Sequence, residues 1–403
     1  MRRILQCVPE KGERVTYKRY RRATHRLRPP EQTFALIEPY LKAFGITRCA
    51  DLTGLDRLGI SVCCAFNPMN PILQASWGKG NCLADARTSA LMEAVERFHA
   101  TFPDARERVA TLADLRNEGH TVVAPCRLKR FNERVYFSEN MPICWLPMEV
   151  LAADADTAEV YVPAGVVYPR EPLLNPFSAN GLASGNCLEE AQLHALYEII
   201  ERDGISSCFD ETGRLALKDG GSCRIDLSRC DTETVRELHQ KIRQAGLELV
   251  LLRPASRVDG VHLFWAALIE AEAPVLWTRI NIGYGAHSSV EVAAVRAITE
   301  AAQSRLAYLH GCREDMGHKM RYPQAASVKK AMGYFASFVS EIPWNELEDY
   351  SHDTLGQDWD SLLAATVSAG FDRIYRLRIP CRIKGISIVK LLVEGMRLRH
   401  GLF

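Results

Sequence analysis

The chain carries almost no net charge. Its 50 Lys and Arg stand against 49 Asp and Glu, a formal +1 over 403 residues. That balance excludes the broad basic surface by which proteins hold nucleic acid. No apolar run approaches the roughly 20 residues that span a bilayer, so no membrane helix is expected. The opening Met1-Arg2-Arg3-Ile4-Leu5-Gln6-Cys7 has no long apolar region with a small-residue cleavage site, so it is not a secretory signal. No Cys-x-x-Cys occurs among the 13 cysteines. They read as buried, reduced thiols of a cytoplasmic protein rather than as metal ligands or disulfides. A P-loop is missing too: Gly78-Lys79-Gly80 is too short for one, and protein-kinase motifs are absent. What remains is an ordinary globular composition, 47% hydrophobic and 25% charged, large enough for a substantial core.

What is present is a repeated phrase. Gly80-Asn81-Cys82-Leu83 leads to Ser89, Glu93, Glu96 and Arg97. Gly185-Asn186-Cys187-Leu188 leads to His194, Glu198, Glu201 and Arg202. Gly to first Glu is thirteen positions in both copies (93−80 and 198−185). A fainter third copy places Glu300 and Gln303 after Gly283-Tyr284-Gly285. The copies are spaced by 105 and 102 residues (198−93 and 300−198).

Around these phrases the pattern predicts three strand–Gly-loop–helix units at about 50–105, 160–205 and 245–310. Ile60 to Phe66 reads as a strand, and Leu73 to Trp77 as an extended run ended by Gly78-Lys79-Gly80. Helices are expected at about 83–100, 188–203 and 289–309, with a loop over residues 175–186 and another over 283–287. Strands are expected at Thr121–Val123, 160–163, 247–252, 263–268, 276–280 and 386–393. Glu31 to Phe44 reads as a helix kinked or broken at Pro39. Three such units imply one interdependent α/β (α+β) body over residues 31–403. The preceding arm, residues 1–30, is basic: Lys18, Arg19, Arg21, Arg22, His25, Arg26 and Arg28 alternate with Tyr17 and Tyr20. It is either solvated and mobile or a segment that folds over an anionic ligand.

At about 100° per residue, Glu93, Glu96, Ser89, Ala86 and Arg97 share one face of the first helix, and Leu91, Val95 and Phe98 the other. The second helix repeats this with Glu198, Glu201, His194, Ala191 and Arg202. Small residues on the acidic face leave room for a partner helix or a ligand. A single Glu-x-x-Glu-Arg fits a solvated helix face with i,i+4 ion pairs. Repetition in register with an upstream Gly-Asn asks for another reason. Clustered carboxylates repel one another unless cations sit between them, and oxygen-only ligands suit Mg2+ bridged to phosphates. Arg97 or Arg202 can act as a fork donor to phosphate, and Gly-rich turns at helix starts offer free N–H groups to anions. Cys82 and Cys187, in the repeated turns, are small fillers or nucleophiles.

These residues resemble the YcaO-domain family from about Arg21 to Gly395. The resemblance is carried by Asp51-Leu52-Thr53-Gly54-Leu55-Asp56-Arg57-Leu58-Gly59-Ile60, Gly78-Lys79-Gly80, Ser89-x3-Glu93-x2-Glu96, Asn180-Gly181 with Gly185-Asn186, Glu198-x2-Glu201-Arg202 and Glu300-x2-Gln303. It implies the YcaO fold around a composite site for ATP and Mg2+. By motif, Glu93, Glu96, Glu198 and Glu201 are implied as Mg2+ ligands. Ser89, Asn186, Arg202, Glu300 and Gln303 are implied as ATP contacts, with Lys18 and Thr24 added from the arm. Pro29-Pro30-Glu31-Gln32-Thr33, Leu55-Asp56-Arg57-Leu58-Gly59-Ile60, and Gln303-Ser304-Arg305 with Arg313-Glu314-Asp315 resemble the branch that works beside TfuA-type partners and makes backbone thioamides. Residues 399–403 lack the Pro-rich ending of azoline-forming members, and Val393-Glu394-Gly395 has Glu where Pro is usual.

The resemblance implies ATP-dependent activation of a peptide-backbone amide. Sulfide from the partner attacks the amide carbonyl, and the hemiorthoamide oxygen attacks the γ-phosphate, so that phosphate leaves as the thioamide forms. Arg202 neutralises charge in that step. His287 is either a proton-transfer group or a structural loop histidine. Alternatives are an azoline-forming cyclodehydratase acting on Cys, Ser or Thr of a ribosomal peptide, and a non-catalytic peptide-presenting module. A peptide or protein substrate and a homodimer are also implied.

Overall fold

A computed structural model of the chain describes residues 16–398, apart from 72, 103, 129–133, 153–158, 170–173, 176, 211–221, 274–277, 312–324 and 339–340. Residues 276 and 277, residues 313–315 and residues 399–403 of the sequence-based reading therefore lie outside it, as does the first half of the arm.

In chain order the strands are β1 Arg48–Asp51, β2 Ser61–Phe66, β3 Ala75–Gly80, β4 Arg108–Ala110, β5 Ile143–Ala152, β6 Glu159–Pro163 and β7 Leu182–Gly185. They continue with β8 Ser222–Asp226, β9 Glu248–Pro254, β10 His262–Ile269, β11 Ile280–His287, β12 Glu341–Pro343, β13 Ile374–Ile379 and β14 Ser387–Val393. The helices are α1 Pro30–Leu41, α2 Leu83–His99, α3 Leu112–Asn117 and α4 Leu188–Ser207, then α5 Glu233–Gln244, α6 Val290–His310, α7 Ala325–Ala336 and α8 Leu355–Ser368. The sequence dictates many of these directly. Every residue of β10 is buried, as a continuous apolar run between two paired strands must be. In α5, Val235, Leu238 and Ile242 recur at helical spacing and are buried, while Arg236 and Glu237 stay exposed.

The strands form three sheets, ordered β1-β2-β3, β11-β10-β9-β8-β12 and β4-β5-β13-β14-β7, with β6 against β5. All pairings are antiparallel except β12 with β8. β3, β7 and β11 each end their sheet and run directly into α2, α4 and α6. Cys82, Cys187 and Ser289 are the N-cap residues, so the three helix starts keep the same 105- and 102-residue spacing as the acidic residues (187−82 and 289−187). Each helix packs on its own strand and also touches the end strand of another sheet: α2 on β7, α4 on β11 and α6 on β3. The result is a closed ring of three strand–helix units.

Glycine makes this packing possible. A Cβ on Gly78 would lie 2.1 Å from both Ala86 O and Ala90 N, and one on Gly285 2.1 Å from Ala293 O. At Gly185 the nearest atom would be Ala191 N at 2.5 Å. Two expectations are corrected here. The repeated glycines are not phosphate-binding loops: Gly78, Gly80, Gly185, Gly283 and Gly285 all lie within strands. Ala86 and Ala191 are small because the helix backbone rests against its own glycine strand, not to admit a separate partner.

Other boundaries shift for local reasons. Residues 182–185 are a strand within the expected loop. Pro39 sits inside α1, which continues to Leu41. Thr121–Val123 makes only an isolated bridge, Val122 to Tyr161. Residues 16–28 are not a loose arm. Tyr17 bridges to Thr354, Leu27 N donates to Glu190 at 2.9 Å, and Lys18 is buried. Glu394, unexpected in the family pattern, accepts from Tyr375 Oη at 2.6 Å and Arg127 at 2.8 Å, tying the end of β14 to two other segments. Among the described residues no helix is long and apolar enough to cross a membrane.

The glycine contacts give a paired prediction. Gly283→Ala would place a Cβ 2.2 Å from Ala301 N and 2.3 Å from Ala297 O. It should lower unfolding free energy by about 3 kcal/mol or more. Gly333→Ala, in α7 with nothing within 4 Å, should raise it by roughly 0.5–1 kcal/mol. Denaturant titration measures both. A Gly283→Ala loss under about 1 kcal/mol would contradict this account of the packing.

Candidate active site

The ring turns the acidic faces of α2, α4 and α6 toward one another. Glu93 Oε2 accepts from the backbone N–H of Trp77 at 2.7 Å, and its Oε1 from Arg97 at 2.5 Å. Arg97 also donates to Ala75 O at 2.8 Å. This pair therefore caps the free edge of β3. Glu96 reaches the neighbouring unit, where Oε1 accepts from Ser184 N at 2.7 Å and Ser184 Oγ at 2.5 Å. From α6, Glu300 is ion-paired with Lys79 of β3. Glu198 lies among Arg202, Glu201, Arg296 and Lys390.

Glu201 is different. It is 1% exposed, and neither carboxylate oxygen accepts a hydrogen bond. Its nearest cations, Arg202 Nε and Arg296 Nη2, are each 3.7 Å away. A buried carboxylate without hydrogen bonds is costly, so this group points to a ligand that completes it.

Charge in the cluster is balanced unevenly. Burial, with lesser contributions from Glu93 and Glu198, pushes Glu96 up to about 8 despite the Ser184 hydrogen bonds. Burial also pushes Glu198 up to about 7, with Arg202 opposing and Glu201 reinforcing the rise. For Glu300, burial is outweighed by Lys79 and Arg202, which hold the carboxyl below its usual range. Burial works against the Arg202 charge, yet Glu201, Glu300 and Glu198 raise its proton affinity overall. Among the described residues, no three His, Cys, Asp or Glu side chains stand close enough to hold a metal as they are. Glu93 and Glu96 are committed to protein donors, and a cation would have to draw the carboxylates in. The donor set fits such a cation: oxygen ligands alone, one of them unsatisfied.

The remaining predicted residues separate. Ser89 is exposed on α2, and Gln303 is half-buried one turn beyond Glu300. Asn186 uses both ends of its amide on protein, accepting from Thr33 Oγ1 at 2.9 Å and donating to Glu190 at 3.0 Å. It fixes the start of α4 rather than facing the cluster. Lys18 is 2.6 Å from Asp358 and 3.1 Å from His25 Nδ1. Thr24 and His287 line a small, partly open pocket with Arg26, His194, Ala286 and Arg296. His287 Nδ1 accepts from Ser289 N at 2.9 Å, and its ring stacks on Tyr197 at 4.4 Å. Burial, then His25 and Lys18, drive its pKa well below the ordinary histidine value, so the ring stays neutral. Burial raises the Cys82 and Cys187 thiols, which are caps and packing groups rather than nucleophiles.

Sequence reasoning missed Lys79, Ser184 and Arg296. The repeat register held the signal: Arg296 occupies in α6 the place of Ser89 and His194, and Ser184 the place in β7 that Lys79 has in β3.

The family whose model matches residues 77–397 is described as "YcaO cyclodehydratase, ATP- and Mg2+-binding". A protein from the tfuA 3′ region of Rhizobium leguminosarum bv. trifolii is 31% identical over 386 residues, 92% of this chain and 88% of that one. A protein of Methanothermobacter thermautotrophicus is 30% identical over 386 residues, 92% of this chain and 94% of its own. A Mycobacterium tuberculosis protein is 33% identical over 306 residues, 74% of this chain, and the match spans only 65% of that relative's length. The chain belongs to the YcaO family. Its fold is similar to that of YcaO from Methanopyrus kandleri bound with AMPPCP and Mg2+, at a TM-score of 0.74 and 21% identity over 94% of each chain. It is also similar to a heterocyclase in complex with substrate and cofactor, at 0.73 and 21% identity over 96% of this chain and 54% of that one.

The proton affinities predict a pH dependence. Glu96 and Glu198 bind protons more tightly folded than unfolded, so their stabilising contribution is full below about pH 4.5. It is lost as pH rises through the folded values near 7 and 8. With divalent cations chelated, the stability gain of Glu96→Gln over the parent should therefore grow from pH 5 to pH 9 in thermal melts. A gain that does not change with pH would contradict the assignment.

Proposed function

We propose that the protein activates a peptide-backbone amide at the expense of ATP, with Mg2+ held by Glu93, Glu96, Glu198 and Glu201. The observation that carries this reading is the buried, hydrogen-bond-free carboxylate of Glu201 beside Glu198, Arg202 and Arg296. Family membership supports it. ATP supplies the phosphoryl group that turns the amide oxygen into a leaving group, and Mg2+ neutralises its charge. Arg202, charged and half-buried between carboxylates, orients the transferring group, while Glu300 and Gln303 on α6 and Ser89 on α2 position the nucleotide. Asn186 contributes by fixing the start of α4. The segment over residues 16–28, which carries Thr24 and Lys18, forms one wall of the adjoining pocket.

The product is a thioamide. Sulfide, supplied by a TfuA-type partner, adds to the amide carbonyl, and the original oxygen leaves with the phosphoryl group as phosphate, yielding ADP. The relative in the tfuA 3′ region supports this branch. The nucleophile comes from outside the chain, in keeping with raised cysteine thiols at both repeated caps.

The purified protein with ATP, Mg2+, sulfide, partner and peptide should give a peptide whose mass rises by one sulfur-for-oxygen exchange. Loss of one water without sulfide would show an azoline product instead. Glu201→Gln should cut ATP turnover by roughly 100-fold or more with an unchanged circular dichroism spectrum; undiminished turnover would refute the site.

A further inference from the structure

The segment over residues 16–28 meets the body of the protein at matched points. Three residues after the N-caps Cys82 and Cys187 stand Asp85 and Glu190 (85−82 and 190−187). Tyr20 Oη donates to Asp85 Oδ1 at 3.2 Å. Leu27 N donates to Glu190 Oε2 at 2.9 Å, and Arg26 to its Oε1 at 3.3 Å. A third hold is the buried ion pair of Lys18 with Asp358 of α8. Between these holds the chain folds back on itself, and Tyr20 and Arg26 exchange both backbone hydrogen bonds, at 3.0 and 2.9 Å. Among the described residues, no backbone–backbone hydrogen bond joins residues 19–26 to any other segment. Ala23, within this turn, is the one described non-glycine residue with a positive φ, 58°, a conformation that works against the closed turn.

Thr24, His25 and Arg26 of the turn wall the pocket together with Arg296, which stands 3.7 Å from Glu201. The pocket encloses about 30 Å3, room for roughly one or two waters and none for the base and ribose of a nucleotide. Its other walls come from α4, β11, α6 and the start of α8. α4 and α6 are fixed by backbone contact with glycine strands, and α8 packs on α4. The turn is the wall that can yield. We infer that residues 18–27 form a strap that opens to admit the nucleotide and closes over it, with Asp85 and Glu190 as the positioning residues that hold it to the starts of α2 and α4. The inference rests on the proposed nucleotide reading and goes further by assigning entry to one segment. Entry and release both pass through the open form, so weakening a hold quickens both.

Hydrogen exchange of the full chain, read by mass spectrometry, tests the strap. The amides of Tyr20, Arg26 and Leu27 are all hydrogen-bonded. Without nucleotide they should still exchange far faster than those in the middle of α4, and with AMPPCP and Mg2+ they should slow by about tenfold. Tyr20→Phe removes the hold on Asp85 and alters no charge at neutral pH. In biosensor measurements it should raise both the association and the dissociation rate of AMPPCP by about fivefold. A rigid wall would leave the association rate unchanged. That result, or strap amides as slow as those of α4 and unmoved by AMPPCP, overturns the inference. If Tyr20→Phe does not fold, exchange in the parent protein decides alone. Calorimetry of the parent with AMPPCP and Mg2+ separates the two levels. Absence of binding refutes the nucleotide reading and the strap with it, whereas binding with unmoved strap amides refutes the strap alone.

Discussion

The contact on which the rest depends is helix backbone against glycine strand. Where Gly78, Gly185 and Gly285 face alanines of α2, α4 and α6, backbone meets backbone at distances that no side chain could share. That closeness lets each helix lie tightly on the face of its own sheet and still touch the end strand of another. The ring closes only because all three contacts are tight. Once closed, the faces turned inward are those carrying Glu93, Glu96, Glu198, Glu201 and Glu300. The glycines therefore serve the site indirectly, by bringing helices together, and not by cradling phosphate themselves.

That geometry sets an electrostatic problem and solves part of it locally. Glu93 and Glu96 spend their charge on the backbone N–H groups of β3 and β7, which would otherwise be bare edges. Lys79 and Arg202 hold Glu300 ionised. What is left without a hydrogen bond is Glu201, buried and flanked by Arg202 and Arg296 at 3.7 Å, next to a Glu198 whose proton affinity burial has raised. A folded protein tolerates such a residue when something else completes it. The division of labour between Arg97 and Arg202, identical in sequence context, follows from the same ring. Arg97 is turned into the β3 edge by Ala75 O and Glu93, whereas Arg202 stands among three carboxylates.

Much of this was legible in the residues. The three long helices and their acidic faces follow from periodicity and register. β2, β9, β10 and β14 follow from apolar runs. The glycines misled, because glycine before a helix commonly marks a turn, and the pattern cannot distinguish a turn from a strand that a helix must approach closely. β7 was hidden for that reason inside a Gly/Ser/Asn-rich stretch. Lys79 and Ser184 share a register position that the repeat displays, but their partners come from helices far away in sequence, and only the ring brings them together. Asn186 and Lys18 sit in motifs that resemble nucleotide contacts, yet their polar atoms bind Thr33, Glu190 and Asp358. A motif reveals residue type and spacing, and the fold decides which neighbour claims the side chain.

The central claim is that Glu201 and its neighbours hold a divalent cation between α2 and α4. Anomalous X-ray scattering from crystals grown with Mn2+ and AMPPCP tests it most directly. The account predicts an anomalous peak coordinated by the Glu201 carboxylate together with at least one of Glu93, Glu96 and Glu198. A peak elsewhere, with Glu201 still unligated, would contradict it.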